Sequence, residues 1–140
     1  MNTDKIVSGS NELAWMIDDV LKAKGTRYGV LLSSDGLKLL HSGDIGKDDA
    51  DRVAAAMSSV QSLSRAMMEF AGHGATLWRQ TMMEFDEGFM FLAAAGQGAH
   101  LLVSTTRDVD MEDVVFRMQQ LVQQLSRELS SRPRIETVAK

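Results

Sequence analysis

Cysteine is absent from the 140 residues, which excludes a disulfide framework, a thiolate metal site and a cysteine nucleophile. Proline occurs once, in a stretch from Ser130 to Lys140 with little apolar content; that stretch reads as a flexible tail. No run approaches the ~18 apolar residues of a membrane span, and Met1 to Ser10 is polar without a signal-peptide core. An excess of positive charge is also missing. A net charge of −4 and a pI near 5.3 argue against a nucleic-acid binder, which carries a basic face. These absences suit a cytoplasmic protein that does not insert into a membrane.

Dedicated chemistry is equally scarce. No G-x-x-x-x-G-K-[ST] phosphate cradle occurs, and the glycines at 96 and 98 lie between two strands rather than between a strand and a helix. His41, His73 and His100 have no short ligand spacing, so no metal is expected. Ser33 and Ser34 lack the G-x-S-x-G elbow of a hydrolase nucleophile. The Asp18-Asp19 and Asp48-Asp49 pairs read as a solvated helix face and a helix start. Arg52, Arg65 and Arg79 read as solvated or rim charges, with none marked as an arginine finger. The sequence predicts no catalytic residue and no cofactor.

What the chain does have is a 44% apolar fraction, enough for the core of a single domain over 11–129 flanked by tails at 1–10 and 130–140. Its ten methionines outnumber its two Trp, one Tyr and five Phe; methionine fills irregular gaps and serves adaptable binding surfaces. Periodicity predicts a first helix over 11–24, with Leu13, Met16, Ile17, Val20 and Leu21 on one face and Gly25 as its stop. A hairpin follows, with strands at 28–33 and 37–42 around Ser34-Asp35-Gly36. Asp48 is the expected N-cap of a long helix reaching Phe70. Three strands come next, at 76–85, 89–95 and 99–104, joined by short glycine-containing turns. Asp108 or Asp110 then caps a last helix carrying Met111, Val114, Val115, Met118, Leu121, Val122, Leu125 and Leu129.

Strands 28–33, 89–95 and 99–104 are apolar at nearly consecutive positions, so both their faces should be covered. Strands 37–42 and 76–85 are mixed, as sheet edges are. The expected fold is α/β (α+β): a five-stranded antiparallel sheet flanked by helices on both faces, in the order α-β-β-α-β-β-β-α. The strand 76–85 is long for an edge and invites pairing with another chain.

The long helix carries two apolar rows, together covering about 200° where about 100° suffices for one contact. Val53, Ala56, Val60, Leu63, Met67 and Phe70 form a bulky row suited to filling the core. Ala50, Ala54, Met57, Gln61, Ser64 and Met68 form a row of small and flexible residues, suited to close approach by a second helix. The second row therefore reads as an interface, with the same helix of another copy as its occupant. Trp15 lies about 200° from Leu13 on the first helix, near Asp18, Asp19 and Lys22. It reads either as a binding anchor, with Asp19 beside it as a partner contact, or as a lid over the last helix or the N-terminal segment. Trp78 either caps the core or reaches across the sheet edge.

The segments ELAWMIDDVLKAKGTRYGVLLSSDGLKLLHS at 12–42, DDADRVAAAMSSVQSLSRAMMEF at 48–70 and GFMFLAAAGQGAHLLV at 88–103 resemble the Roadblock, or dynein light chain type, family. Within it the chain is most similar to bacterial Roadblock proteins of actinobacterial conservons. The resemblance implies homodimers formed through the long helix and the neighbouring edge strand. Carried over, the dimer surface comprises Ala50, Ala54, Met57, Gln61, Ser64 and Met68, with Trp78, Gln80 and Met82 on the edge. It also implies a non-catalytic regulator of a Ras-like small GTPase, acting beside a sensor-kinase-like membrane protein and a third small protein and recruited to the membrane through its partners. Some members stimulate GTP hydrolysis, which an adaptor does by biasing its partner's switch loops. A scaffold subunit of the kinase-like complex and a small-ligand sensor are the competing readings.

Overall fold

The computed structural model describes residues 14–74 and 76–130, except the side chain of Leu129. The expected tail at 1–10, residues 131–140 of the tail expected over 130–140, the opening residues 11–13 and the Leu129 side chain lie outside that description, while Ser130 belongs to the last helix. Helix α1 covers 14–20 and is followed by β1 (Thr26–Ser33), β2 (Lys38–Gly43), α2 (Lys47–Ala66) and the single turn α3 (Met68–Ala71). Strands β3 (Gln80–Phe85), β4 (Gly88–Gly96) and β5 (Ala99–Thr106) precede α4 (Met111–Ser130). All five strands join one antiparallel sheet in the order β2-β1-β5-β4-β3. The two mixed strands are its edges, and the three apolar ones lie inside.

The strand period of two splits the core into two layers. Leu31 of β1, Phe91, Ala93 and Ala95 of β4, and Leu101 and Val103 of β5 face α1 and α4, where Ile17, Val20, Val114, Met118, Leu121 and Leu125 meet them. Tyr28, Val30 and Leu32, with Leu92 and Leu102, face the other way, toward Ala50, Ala54 and Met57 of α2. Each fully buried leucine in these layers contributes about 1.5–3 kcal/mol relative to exposure.

Local chemistry sets the ends. Gln97 and Gly98, between the paired residues Gly96 and Ala99, have φ of 52° and 75°. That is the double left-handed pair that a two-residue hairpin loop requires. Gly25 has φ 87°, and a Cβ there would lie 2.5 Å from Val109 Cα. The Gly25 carbonyl accepts from Thr106 N at 2.7 Å and the Lys24 carbonyl from Asp110 N at 3.1 Å, fastening the α1–β1 connection to the β5–α4 connection. Of the two candidate caps of α4, Asp110 acts: its Oδ1 accepts from Asp113 N at 3.1 Å.

Several boundaries differ from expectation, among them four at helix ends and at the edge strand. Among described residues the first helix ends at Val20, and irregular turns lead to Gly25. Gly46, without a side-chain cap, starts α2 in place of Asp48, which sits in its first turn. The long helix breaks at Met67, where Met67 N donates to the Ser64 carbonyl at 3.1 Å and Phe70 N to the Met67 carbonyl at 2.9 Å. Those i→i−3 bonds tighten the end of α2 into a separate turn. The edge strand begins at Gln80 rather than Thr76, because Trp78 is drawn under α2.

Candidate interaction surface

The two rows of α2 have exchanged roles. Ala50 and Ala54 are fully buried, and Met57 and Gln61 nearly so, against the chain's own sheet. Ser64 and Met68 are half-buried. Ala50 and Ala54 have no surface left for a second copy, and Met57 and Gln61 only 7% each. The physical reason lies in the sheet: Tyr28, Val30, Leu32, Leu92 and Leu102 already fill the space between layers, so the helix facing them contributes small residues. The bulky row expected in the core is outside. Leu63 is 68% exposed, Met67 56% and Phe70 73%, while Val53 and Val60 are half-buried at its foot.

This open row continues onto the sheet. Helix α2 packs on β1 and β2, leaving Met90 of β4 and Met83 of β3 half-covered on the same face. Phe85, at the end of β3, is exposed. The two edges differ. β2 begins with Lys38, whose ammonium lies 3.8 Å from Asp51, and its pairing with β1 slips between Leu31 and Leu32. Lysine and a bulge are the usual protections of an edge. β3 pairs with β4 in unbroken register over its whole length and contains no lysine, proline or glycine. Its one charge, Glu84, is met by Arg107 Nη2 at 2.5 Å, and Arg107 Nη1 donates to the Phe85 carbonyl at 2.8 Å. Gln80 and Met82 face the α4 side of this edge, paired with Ala93 and Phe91. Gln80 is half-buried, and Met82 is 52% exposed. Trp78 lies before the strand and off its edge, a correction to its expected place there.

A polar cluster ties α2 to that edge. Ser64 Oγ and Thr81 Oγ1 are 2.6 Å apart, and Trp78 Nε1 donates to the same Thr81 oxygen at 2.8 Å. The Arg65 guanidinium lies 5.1 Å from the centre of the Trp78 ring. Its Nε donates to Gln61 Oε1 at 2.9 Å, and its Nη2 lies 3.3 Å from Nε2 of His100. Arginine can only donate, so Nε2 accepts and the imidazole proton sits on Nδ1, a buried atom with no hydrogen-bond partner among the described residues. Burial first, and the adjacent Arg65 charge second, push His100 down to about 4. The ring is therefore neutral near pH 7, where it serves as a buried acceptor rather than a base. Nothing in the sequence brings this cluster together: His100 has no short ligand spacing to another histidine, and Arg65 reads as a solvated or rim charge.

On the opposite side of the molecule Trp15 is 55% exposed. Asp19 pairs with Lys22 at 3.5 Å and with Arg117 of α4 at 3.8 Å. Among the described residues no His, Asp or Glu group is arranged to hold a metal, and no helix is long and apolar enough to cross a membrane.

A five-stranded antiparallel sheet between helical layers, with an open apolar helix row beside an unprotected edge, defines an interaction domain. The chain belongs to the Roadblock/LC7 domain family, whose model matches residues 13–105. A Roadblock/LC7 domain from Streptomyces avermitilis is similar at 32% identity and a TM-score of 0.76, covering 83% of this chain and 96% of that one. MglB of Myxococcus xanthus has a TM-score of 0.77 at 13% identity, over 86% of this chain and 97% of its own. The gliding protein MglB of Thermus thermophilus has a TM-score of 0.73 at 16% identity, over 84% and 87%. The two MglB likenesses are of fold alone. The curated proteins contain no significant match.

Proposed function

We propose that this protein is a homodimeric, non-catalytic adaptor that regulates a Ras-like small GTPase in a bacterial signalling complex. The observation that carries the dimer is the continuity of Leu63, Met67 and Phe70 with the open Met83, Met90 and Phe85 beside a bare β3 edge. Soluble monomers rarely leave contiguous apolar patches of this kind uncovered. The proposed interface therefore uses the bulky row of α2 with β3, including Gln80 and Met82, in place of the small row. Pairing two β3 edges turns a five-stranded sheet into a continuous ten-stranded one.

The GTPase rests on what the Roadblock resemblance implies, and membership of the family supports it. Without catalytic groups of its own, the dimer would act by binding one nucleotide state of the partner more tightly and ordering its switch loops. Trp15, exposed on the far face beside the engaged Asp19, is the proposed contact for the GTPase or for a sensor-kinase-like membrane protein. Single-turnover GTP hydrolysis by a Ras-like small GTPase of the same bacterium, with and without this protein, tests the regulator. Acceleration, or tighter binding of one nucleotide form, supports it. Equal affinity for both forms with an unchanged rate leaves a scaffold instead.

A further inference from the structure

Helix α4 has a second face that the fold leaves unused. Its buried stripe, Val114, Met118, Leu121 and Leu125, is at most 2% exposed. At about 100° per residue, Glu112, Phe116, Gln119, Gln123 and Arg127 fall within about 80° of one another on the opposite side. All five are exposed, and Phe116 is 59% so. Their spacings of four, three, four and four residues are close to those of a helix-pairing seam.

Charge on this stripe is confined to its ends, Glu112 in the first turn and Arg127 in the last. Neither belongs to an ion pair among the described residues, whereas Arg117, on the flank toward α1, pairs with Asp19 and Asp113. Between those ends the exposed residues of α4 are Phe116, Gln119, Gln120, Gln123 and Gln124. An aromatic residue without neighbouring Lys or Glu is the composition of an interface centre.

The order acid, neutral, base selects the occupant. A two-fold interface sets residue i against j and j against i, so a charge near the axis meets its own copy and is repelled. Glutamine both donates and accepts, and can face itself. Two α4 helices running antiparallel, with the axis between Gln119 and Gln120, put Glu112 of each level with Arg127 of the other. Phe116 then lies level with Gln123. Both end charges gain the partner that a single chain does not give them, and no like charges meet.

We infer that the outer stripe of α4 is a self-pairing surface whose occupant is the same helix of a second copy. It lies across the sheet from α2 and does not depend on the dimer proposed above. One helix stripe buries well under the ~1,200 Å² of a stable interface. The pair therefore forms in concentrated protein, on the order of millimolar, and is apart in dilute solution. It suits copies that a common partner already holds close together.

Sedimentation equilibrium of the full chain carrying Leu63→Glu and Met67→Glu takes the α2 row out of the measurement; both side chains are open. The expected association grows toward millimolar concentration, weakens about ten-fold with Arg127→Glu and returns when Glu112→Arg is added. Circular dichroism checks that each variant keeps its helices. No association, or a loss that the second reversal does not repair, overturns the pairing. Because the chain has no cysteine, Gln119→Cys in the same background gives a second reading that leaves both charges in place. A short bis-maleimide should join two copies there, since the two sulfurs lie beside the axis. Association without that cross-link assigns the contact to another surface and also overturns the pairing.

Discussion

The hydroxyls of Ser64 and Thr81 lie 2.6 Å apart, joining the last turns of the long helix to the first residues of the edge strand. Thr81 also accepts the indole N–H of Trp78, so one threonine holds together both elements of the proposed interface. Thr81→Val removes the hydroxyl, leaving the Trp78 N–H without its acceptor and the Ser64 hydroxyl without its partner in a half-buried cluster. The expected cost is about 1–2 kcal/mol, seen as a lower urea midpoint with an unchanged slope. In a Trp15→Phe background, Trp78 emission should shift to longer wavelength; an unchanged spectrum and midpoint would mean the contact contributes nothing.

His100 makes stability depend on pH in a predictable direction. Its folded-state pKa is lowered to about 4, whereas an unfolded histidine titrates near 6.5. The unfolded chain therefore takes up this proton first as pH falls. The stabilising contribution is complete above about pH 6.5 and is lost progressively toward pH 4. Replacing His100 by Gln should flatten the stability profile in that window relative to the wild type, and in the wild type the His100 ring resonances should titrate near the bottom of the window. An ordinary midpoint near 6.5 would show that the ring is not enclosed.

The two rows of α2 should respond oppositely to substitution. Ala54 is fully buried against the sheet, so Ala54→Leu overpacks the core and should cost about 1–3 kcal/mol at every protein concentration. Leu63 is open, and Leu63→Ser should leave the fold intact but abolish the concentration dependence of thermal stability that dimerisation confers. Melting curves across a hundred-fold dilution, as an order of magnitude, distinguish the two responses.

Asp110, and not Asp108, caps α4. Asp110→Ala should cost about 1 kcal/mol. A loss of that size from Asp108→Ala with none from Asp110→Ala, in thermal denaturation, would reverse the assignment.

The element order, both edges, the hairpin turns and the two-faced burial of β1, β4 and β5 were legible, because apolar period and glycine placement are local properties. The side of α2 that faces the sheet was not. Ala50 and Ala54 look like an interface for a second helix, yet small residues also let a helix settle on a sheet already filled by Tyr28 and Leu102. Which applies depends on side chains contributed by distant strands. The Arg65–Trp78–His100 cluster was hidden for the same reason: its members lie on α2, before β3 and on β5, and only the strand order brings them together. Trp78 carries the boundary error as well, since its indole bond to Thr81 turns the chain inward and delays the start of β3.

The proposed dimer requires that the exposed row of α2 join two copies. Light scattering of the wild type and of the Leu63→Glu, Met67→Glu double variant tests this most directly, since charge on a buried apolar seam is costly whereas both side chains are open in the single chain. The prediction is a wild-type mass twice the 15.4 kDa of one chain and a folded variant of single-chain mass. A variant that keeps the wild-type mass, or a wild type that is monomeric, would contradict it.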